Sequence, residues 1–276
     1  MKRRSLLWLL ASSACHGTRG RDFALARALL GVSGGPDGAN ADQVGWTLKE
    51  LARFADEADT ELERAPRRSP ATVISQLLFE RWGFVREVTD TNLGFVFLPQ
   101  VLERRRGSCV GLGTLFLALA GALGQRASGV MLPGHFYVRM LEQGRPRNVE
   151  LLRGGEAMPD AWYEQRFPVP GGSAPEYARP LHTAEVLGVV EYNVGNERKR
   201  QLRLPEARTA FASAARSFPE LAEAHASLAS VEQLLGNLEA ARASYQRARA
   251  VNPHLPGVEQ NLALLAAELS DSSLRP

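Results

Sequence analysis

The apolar residues Val44, Leu48, Leu51 and Phe54 recur at steps of three and four, the spacing that lines one face of a helix. The pattern fades in the charged stretch 61–68, and Ser69-Pro70 then restarts it. Serine there can cap the new helix, and proline suits its first position, so Val73, Ile74, Leu77, Leu78 and Trp82 are expected to point inward. A shorter helix over 22–30 precedes these and stops in the glycine-rich run 31–38. Another helix is expected over 92–106, ended by Gly107.

From Cys109 to Ala122 the pattern loses its sidedness. Val110, Leu112, Leu115, Phe116, Leu117 and Leu119 leave no charged face, which predicts a helix buried in the middle of a domain, with Ser108 as its cap and Gly124 beyond its end. Short β-favouring runs follow over 128–132, 136–141 and 147–152, separated by Pro133-Gly134 and by Gln143-Gly144-Arg145-Pro146. Helices first and strands afterwards predict an α+β fold in which an antiparallel sheet packs on the buried helix.

From about Ala184 the strands cease and a period of 34 residues takes over. Val194 and Leu228, Ala207 and Ala241, Phe211 and Tyr245, Ala214 and Ala248, and Pro219 and Pro253 all recur at that offset. Period and pattern resemble the tetratricopeptide repeat, paired antiparallel helices in which alanines allow close contact and an aromatic fills the groove. Gly236 falls at the turn of the second copy, where the first has Leu202, and Glu232 takes a position usually aromatic. A further helix over 256–268 is expected to cover the open end of the stack. The organisation read from the pattern is a leader over 1–21, an α+β domain over 22–182, and an all-α repeat domain over 183–270 with two repeats and a capping helix.

Composition narrows the functions. The 276 residues are 45% hydrophobic and 23% charged, an ordinary globular balance. The net charge of +3 comes from 33 basic residues mixed among 30 acidic ones, without the broad basic face and interleaved aromatics of a nucleic-acid binder, so none is expected as a partner. The cationic start Lys2-Arg3-Arg4, the apolar stretch 6–11 and the small residues Ser12-Ser13-Ala14 predict an export leader, hence a periplasmic or lipid-anchored protein; the alternative is an uncleaved N-terminus in the cytoplasm. Cys15 resembles the lipidated cysteine of bacterial lipoproteins, although Ser12 stands where Leu is usual, and its lipid would be the only route to a membrane. With Cys15 in the leader, Cys109 reads as a lone thiol. His and Cys are too few and scattered for a metal site, and no phosphate-binding glycine loop follows a strand, so no cofactor is expected.

The chemistry gathers on Cys109. A thiol at a helix N-terminus with an imidazolium nearby is favoured as the thiolate, the nucleophilic form. His135 can supply the imidazole, because it follows Pro133-Gly134 at the head of a strand, with enough intervening chain to finish the helix and return. Asn148 or Glu150 on the next strand is placed to hold the ring; Glu150 is preferred, since a carboxylate both orients the imidazole and stabilises its cation.

The segment Val101-Leu-Glu-Arg-Arg-Arg-Gly-Ser-Cys-Val-Gly-Leu112, the helix after it, Pro133-Gly-His-Phe-Tyr-Val-Arg139 and Asn148-Val-Glu150 resemble the transglutaminase-like superfamily, in particular its SirB-like branch, which often carries tetratricopeptide helices after the core. The resemblance implies a papain-like core and a Cys109, His135 and Glu150 triad, with Glu150 one methylene longer than the usual Asp. It also implies two readings: a thiol hydrolase or acyl transferase acting on amide bonds of a peptide or protein, or an inactive scaffold whose repeats bind a partner protein.

Overall fold

The computed structural model describes residues 21–33, 39–89 and 92–273. The predicted leader and Cys15 lie outside the described residues.

Helix α1 (Ala24–Val32) packs beside the long α2 (Ala41–Arg64), which opens on a reciprocal cap: the Asn40 side chain accepts from the Gln43 N–H, and the Gln43 side chain accepts from the Asn40 N–H. The apolar stripe of α2 delivers Leu51, Phe54, Ala55 and Ala58 to the core. Ser69 caps α3 (Pro70–Gln76), and the chain then widens into a π-helical turn, Leu77–Arg81. Val73, Ile74, Leu77, Leu78 and Trp82 are all buried, as the apolar spacing requires.

The helix expected over 92–106 is broken into pieces. Leu93–Phe95 forms a 3-10 turn, α4 spans only Leu98–Arg104, and Arg105 adopts a left-handed backbone (φ 52°) before Arg106 and Gly107 form a strand. Pro99 explains the late start: lacking an N–H and clashing with the preceding turn, it fits only the first turn of a helix, so Phe97 has to be extended. Two strands absent from the hydrophobic pattern result, β1 (Val85–Arg86) and β2 (Arg106–Gly107), paired in parallel.

Helix α5 (Cys109–Ala122) is buried nearly throughout. It lies against a four-stranded antiparallel sheet in the order β3 (Ala127–Leu132), β4 (His135–Glu142), β5 (Arg145–Glu150) and β6 (Glu156–Ala157). Leu132 pairs with His135, so Pro133-Gly134 is a two-residue turn, with Gly134 left-handed (φ 67°) as the turn demands. Helix α6 (Asp160–Arg166) follows the sheet.

The C-terminal half is helical: α7 (Thr183–Arg200), α8 (Leu204–Ser217), α9 (Ala222–Leu234), α10 (Leu238–Val251) and α11 (Val258–Ser273). Helices α8 and α10 begin and end at the same 34-residue offset as the sequence period. Gly195 lies against the Phe211 ring while Gly188 lies against Phe218, so α7 and α8 run antiparallel. Ala207, Phe211, Ala214, Ala241, Tyr245 and Ala248 are all buried. The turn between α7 and α8 forces Leu202 into a left-handed backbone (φ 58°) where the equivalent turn between α9 and α10 has Gly236 (φ 79°). Glu232, in place of an aromatic, is buried and bonded by Arg208 and Asn237.

Apolar packing runs without a break from the sheet into the first of these helices. Val186, Val189, Val190 and Val194 of α7, with Ala214, Phe218, Leu221 and Ala224, belong to the same cluster as Leu115 and Val130. The connecting segment adds polar ties: Asn252 Nδ2 donates to Glu176 Oε1 at 2.8 Å, the Tyr177 hydroxyl bonds Glu223, and Arg179 bridges Glu185 and Glu220. No described helix is long and apolar enough to cross a membrane.

Candidate active site

Cys109 is the first residue of α5, and the turn that presents it is tightly determined. The Ser108 N–H and hydroxyl both donate to the Phe95 carbonyl, at 2.8 and 3.0 Å, while the Ser108 oxygen accepts the Gly111 N–H at 3.2 Å. Gly111 is required by that arrangement, since a Cβ there would lie 2.1 Å from the Phe95 oxygen. Within the first turn the N–H groups of Cys109 and Val110 have no acceptor inside the helix, which leaves two donors and the positive end of the helix dipole beside the sulfur. Cys109 is half-buried and its thiol is free.

His135 heads β4 and is buried, 5% exposed. Its Nε2 lies 2.8 Å from Glu150 Oε2, and Glu150 is itself only 1% exposed at the end of β5. With Nε2 engaged, Nδ1 is the ring nitrogen left for the Cys109 thiol. Burial alone would push the imidazole's pKa down; the hydrogen bonds to Cys109 and Glu150, with the charge of each, outweigh it and raise the pKa to about 9. At neutral pH the ring is therefore predominantly the cation.

The sheet register decides between the two candidates on β5. Asn148 pairs with Arg139, and its side chain accepts from Arg139 Nε at 2.7 Å and donates to Asp160 Oδ1 at 2.7 Å. Asn148 is thus engaged in a network with Arg139 and Asp160, whereas Glu150, two residues along the same face and one pair nearer the head of β4, reaches His135 diagonally. The second carboxylate oxygen of Glu150 accepts the Leu152 N–H at 3.0 Å, made possible by the 3-10 turn Leu151–Arg153.

An aromatic wall stands beside the imidazole, a feature that the sequence reading did not single out. The Phe167 ring lies parallel to the imidazole, at a 2° interplanar angle and 4.1 Å between centroids. Trp162 meets Phe167 edge-on, and Tyr163 stacks on Tyr137 at 3.9 Å. The signal was available in Trp162-Tyr163 and Phe167 at helical spacing, but only the fold brings α6 over β4. Arg106 pairs with Glu87 at 3.0 Å, neutralising one of the fold's own acids. Among the described residues no group of three or more His, Cys, Asp or Glu gathers as metal ligands.

The sequence model of the transglutaminase-like superfamily matches residues 45–188, more than half of the chain and the whole of this site. The chain belongs to the transglutaminase-like superfamily. The chain is similar to a UPF0162 protein of Vibrio cholerae, 33% identical over 101 residues, which are 36% of this chain and 37% of that one. A UPF0162 protein of Xylella fastidiosa is 34% identical over 117 residues, 37% of each chain. The chain thus spans well under half the length of these curated relatives. A crystal structure of menin, titled for its binding site for the Mixed Lineage Leukemia protein, superposes with a TM-score of 0.40 at 11% identity, covering 83% of this chain and 63% of that one; so distant a likeness bears on neither mechanism nor partner.

Proposed function

We propose that this transglutaminase-like protein is a thiol-dependent hydrolase or acyl transferase acting on amide bonds of a peptide or protein, with Cys109 as nucleophile, His135 as acid and base, and Glu150 as the group that orients the ring. The observation that carries the reading is the buried imidazole held at 2.8 Å by the Glu150 carboxylate, in a site where Cys109 opens helix α5; the surroundings raise the pKa of that imidazole to about 9. An imidazolium of that kind stands beside a sulfur that also has the N-terminus of α5 behind it.

In this mechanism the thiolate attacks the carbonyl carbon, and the N–H groups of Cys109 and Val110 take the charge on the oxygen. His135 gives its proton to the leaving amine and, as the neutral base, draws a proton from the water or amine that resolves the thioester. Hydrolysis and transfer share every step up to the choice of that second nucleophile.

The paired helices α7 to α10, with α11 over the end, are read as two tetratricopeptide repeats and a cap, consistent with a SirB-like arrangement. Their role is to hold a segment of a protein partner. On this reading the N-terminal stretch is an export leader, with Cys15 as its lipidation point.

The test is the rate at which iodoacetamide modifies Cys109 in the full chain near neutral pH. The expected result is a rate well above that of a free thiol, lost in His135→Ala. A rate equal to a free thiol's, unchanged by His135→Ala, overturns catalysis and leaves the scaffold reading, in which the repeats bind a partner and the core does no chemistry.

A further inference from the structure

We infer that Phe167 is a positioning residue for the Cys109–His135–Glu150 site: its ring lies flat on the His135 imidazole, fixing the tilt of that ring and favouring its cation. The inference rests on the thiol-nucleophile reading above and deepens it.

Three matched contacts bring Phe167 there. His135, Tyr137 and Arg139 share one face of β4, two residues apart. Asp160, Tyr163 and Phe167 follow along α6 and its end at steps of three and four, which is one helical face. The two rows meet member by member. Asp160 Oδ1 accepts from Arg139 Nη2 at 2.5 Å, the Tyr163 ring stacks on Tyr137 at 3.9 Å, and the Phe167 ring stacks on His135 at 4.1 Å and 2°. Phe167 is still tied to the helix, because its N–H donates to the Tyr163 carbonyl at 2.8 Å. Trp162 meets its ring from the side, with 6.1 Å between centroids. Helix α6 thus docks antiparallel to β4, and the last contact of the row falls on the imidazole.

This contact does what the Glu150 bond cannot. A hydrogen bond fixes the place of Nε2 but tolerates departures of about 30° from linearity, so the ring could still tilt about it. A second ring lying parallel to within 2° removes that freedom. The face of a benzene ring is also its negative pole, and a cation within about 6 Å of its centroid is attracted. The imidazole is predominantly the cation at neutral pH, and Glu150 on β5, Tyr163 on α6 and Cys109 at the head of α5 are the titratable groups set around it. Unlike a carboxylate or a thiolate, the Phe167 face stabilises the imidazolium without being able to take its proton.

The experiment compares the full-length protein with Phe167→Leu, which keeps an apolar cover of similar bulk without the aromatic face, and with Phe167→Tyr, which keeps the face. NMR titration of the His135 imidazole is the readout, since loss of packing alone would not track the aromatic face. In Phe167→Leu the His135 pKa is expected to fall by about half a unit, about threefold in proton affinity, and the alkaline limb of Cys109 alkylation to fall with it. Phe167→Tyr is expected to bring both back to within about two tenths of a unit of wild type. A Phe167→Leu protein whose His135 titrates within about two tenths of a unit of wild type, or higher, overturns the inference, as does an equal fall in Phe167→Tyr. Wild-type spectra test the stack without any variant: nuclear Overhauser contacts between the ring protons of Phe167 and His135 are expected, and their absence overturns the inference. A wild-type Cys109 no more reactive than a free thiol would instead overturn the parent reading, while the His135 titration would still decide the role of Phe167.

Discussion

Nε2 of His135 and Oε2 of Glu150 meet at 2.8 Å, with both side chains almost closed to water and Phe167 flat against the imidazole. Breaking a buried charged pair by removing one partner leaves the other uncompensated. Glu150→Gln should therefore slow Cys109 alkylation at least about tenfold and bring the His135 pKa down, since burial would no longer be opposed by the carboxylate. Asn148→Ala should leave the alkylation rate near wild type and lower stability by about 1–3 kcal/mol in urea denaturation, because its bonds hold Arg139 and Asp160 instead.

The same pair makes stability depend on pH. His135 titrates at about 9 in the folded chain, above its unfolded value of about 6.5, so folding takes up a proton in that interval. Its contribution is fully present below about pH 6.5 and is lost as the pH rises through 9. Wild type should lose about 1–3 kcal/mol more than His135→Ala between pH 6.5 and 9 in urea denaturation. Equal losses would disprove the linkage.

Gly111→Ala should be more damaging than its size suggests. The added methyl would press on the Phe95 carbonyl that holds both polar groups of Ser108. About 1–3 kcal/mol of stability should go, and alkylation of Cys109 should slow with it, because relief of the clash moves the first turn of α5. Ser108→Ala removes the cap and the hydroxyl's bond to the Phe95 carbonyl, and should cost about 1–2 kcal/mol.

A chain ended at residue 182 should not reach a native state. It would leave without cover the apolar surface that Val186, Val189, Val190 and Val194 bury in the shared cluster. A cooperative thermal transition without binding of a hydrophobic dye would show the expectation to be mistaken.

Where one residue's environment decides its element, the chain could be read directly. The uniform apolarity of α5 and the serine before it led to a helix with the expected bounds, and Ala207, Phe211 and Ala214, with their counterparts 34 residues on, are buried on helices α8 and α10. The pairing of β1 with β2 was not legible, since two-residue strands carry no period and form only because Pro99 delays α4 and Arg105 reverses the chain. The preference for Glu150 over Asn148 rested on chemistry rather than on geometry, for a related reason. Alternation puts both on one face, and only the register with β4 says which of them reaches His135. The helical spacing of Tyr163 and Phe167 could be read, but not their place against His135, because an aromatic at the end of a helix acquires its meaning from what it lands on.

Helix α5 has no face turned to water, and that sets how the sulfur can move. A helix with one wet side can roll or slide by trading solvent for solvent. This one is gripped around its whole circumference by close-packed atoms, so any displacement has to shift the sheet, α2 and α7 with it. Cys109 is thus a stationary reference point, and reacting groups must align themselves to it.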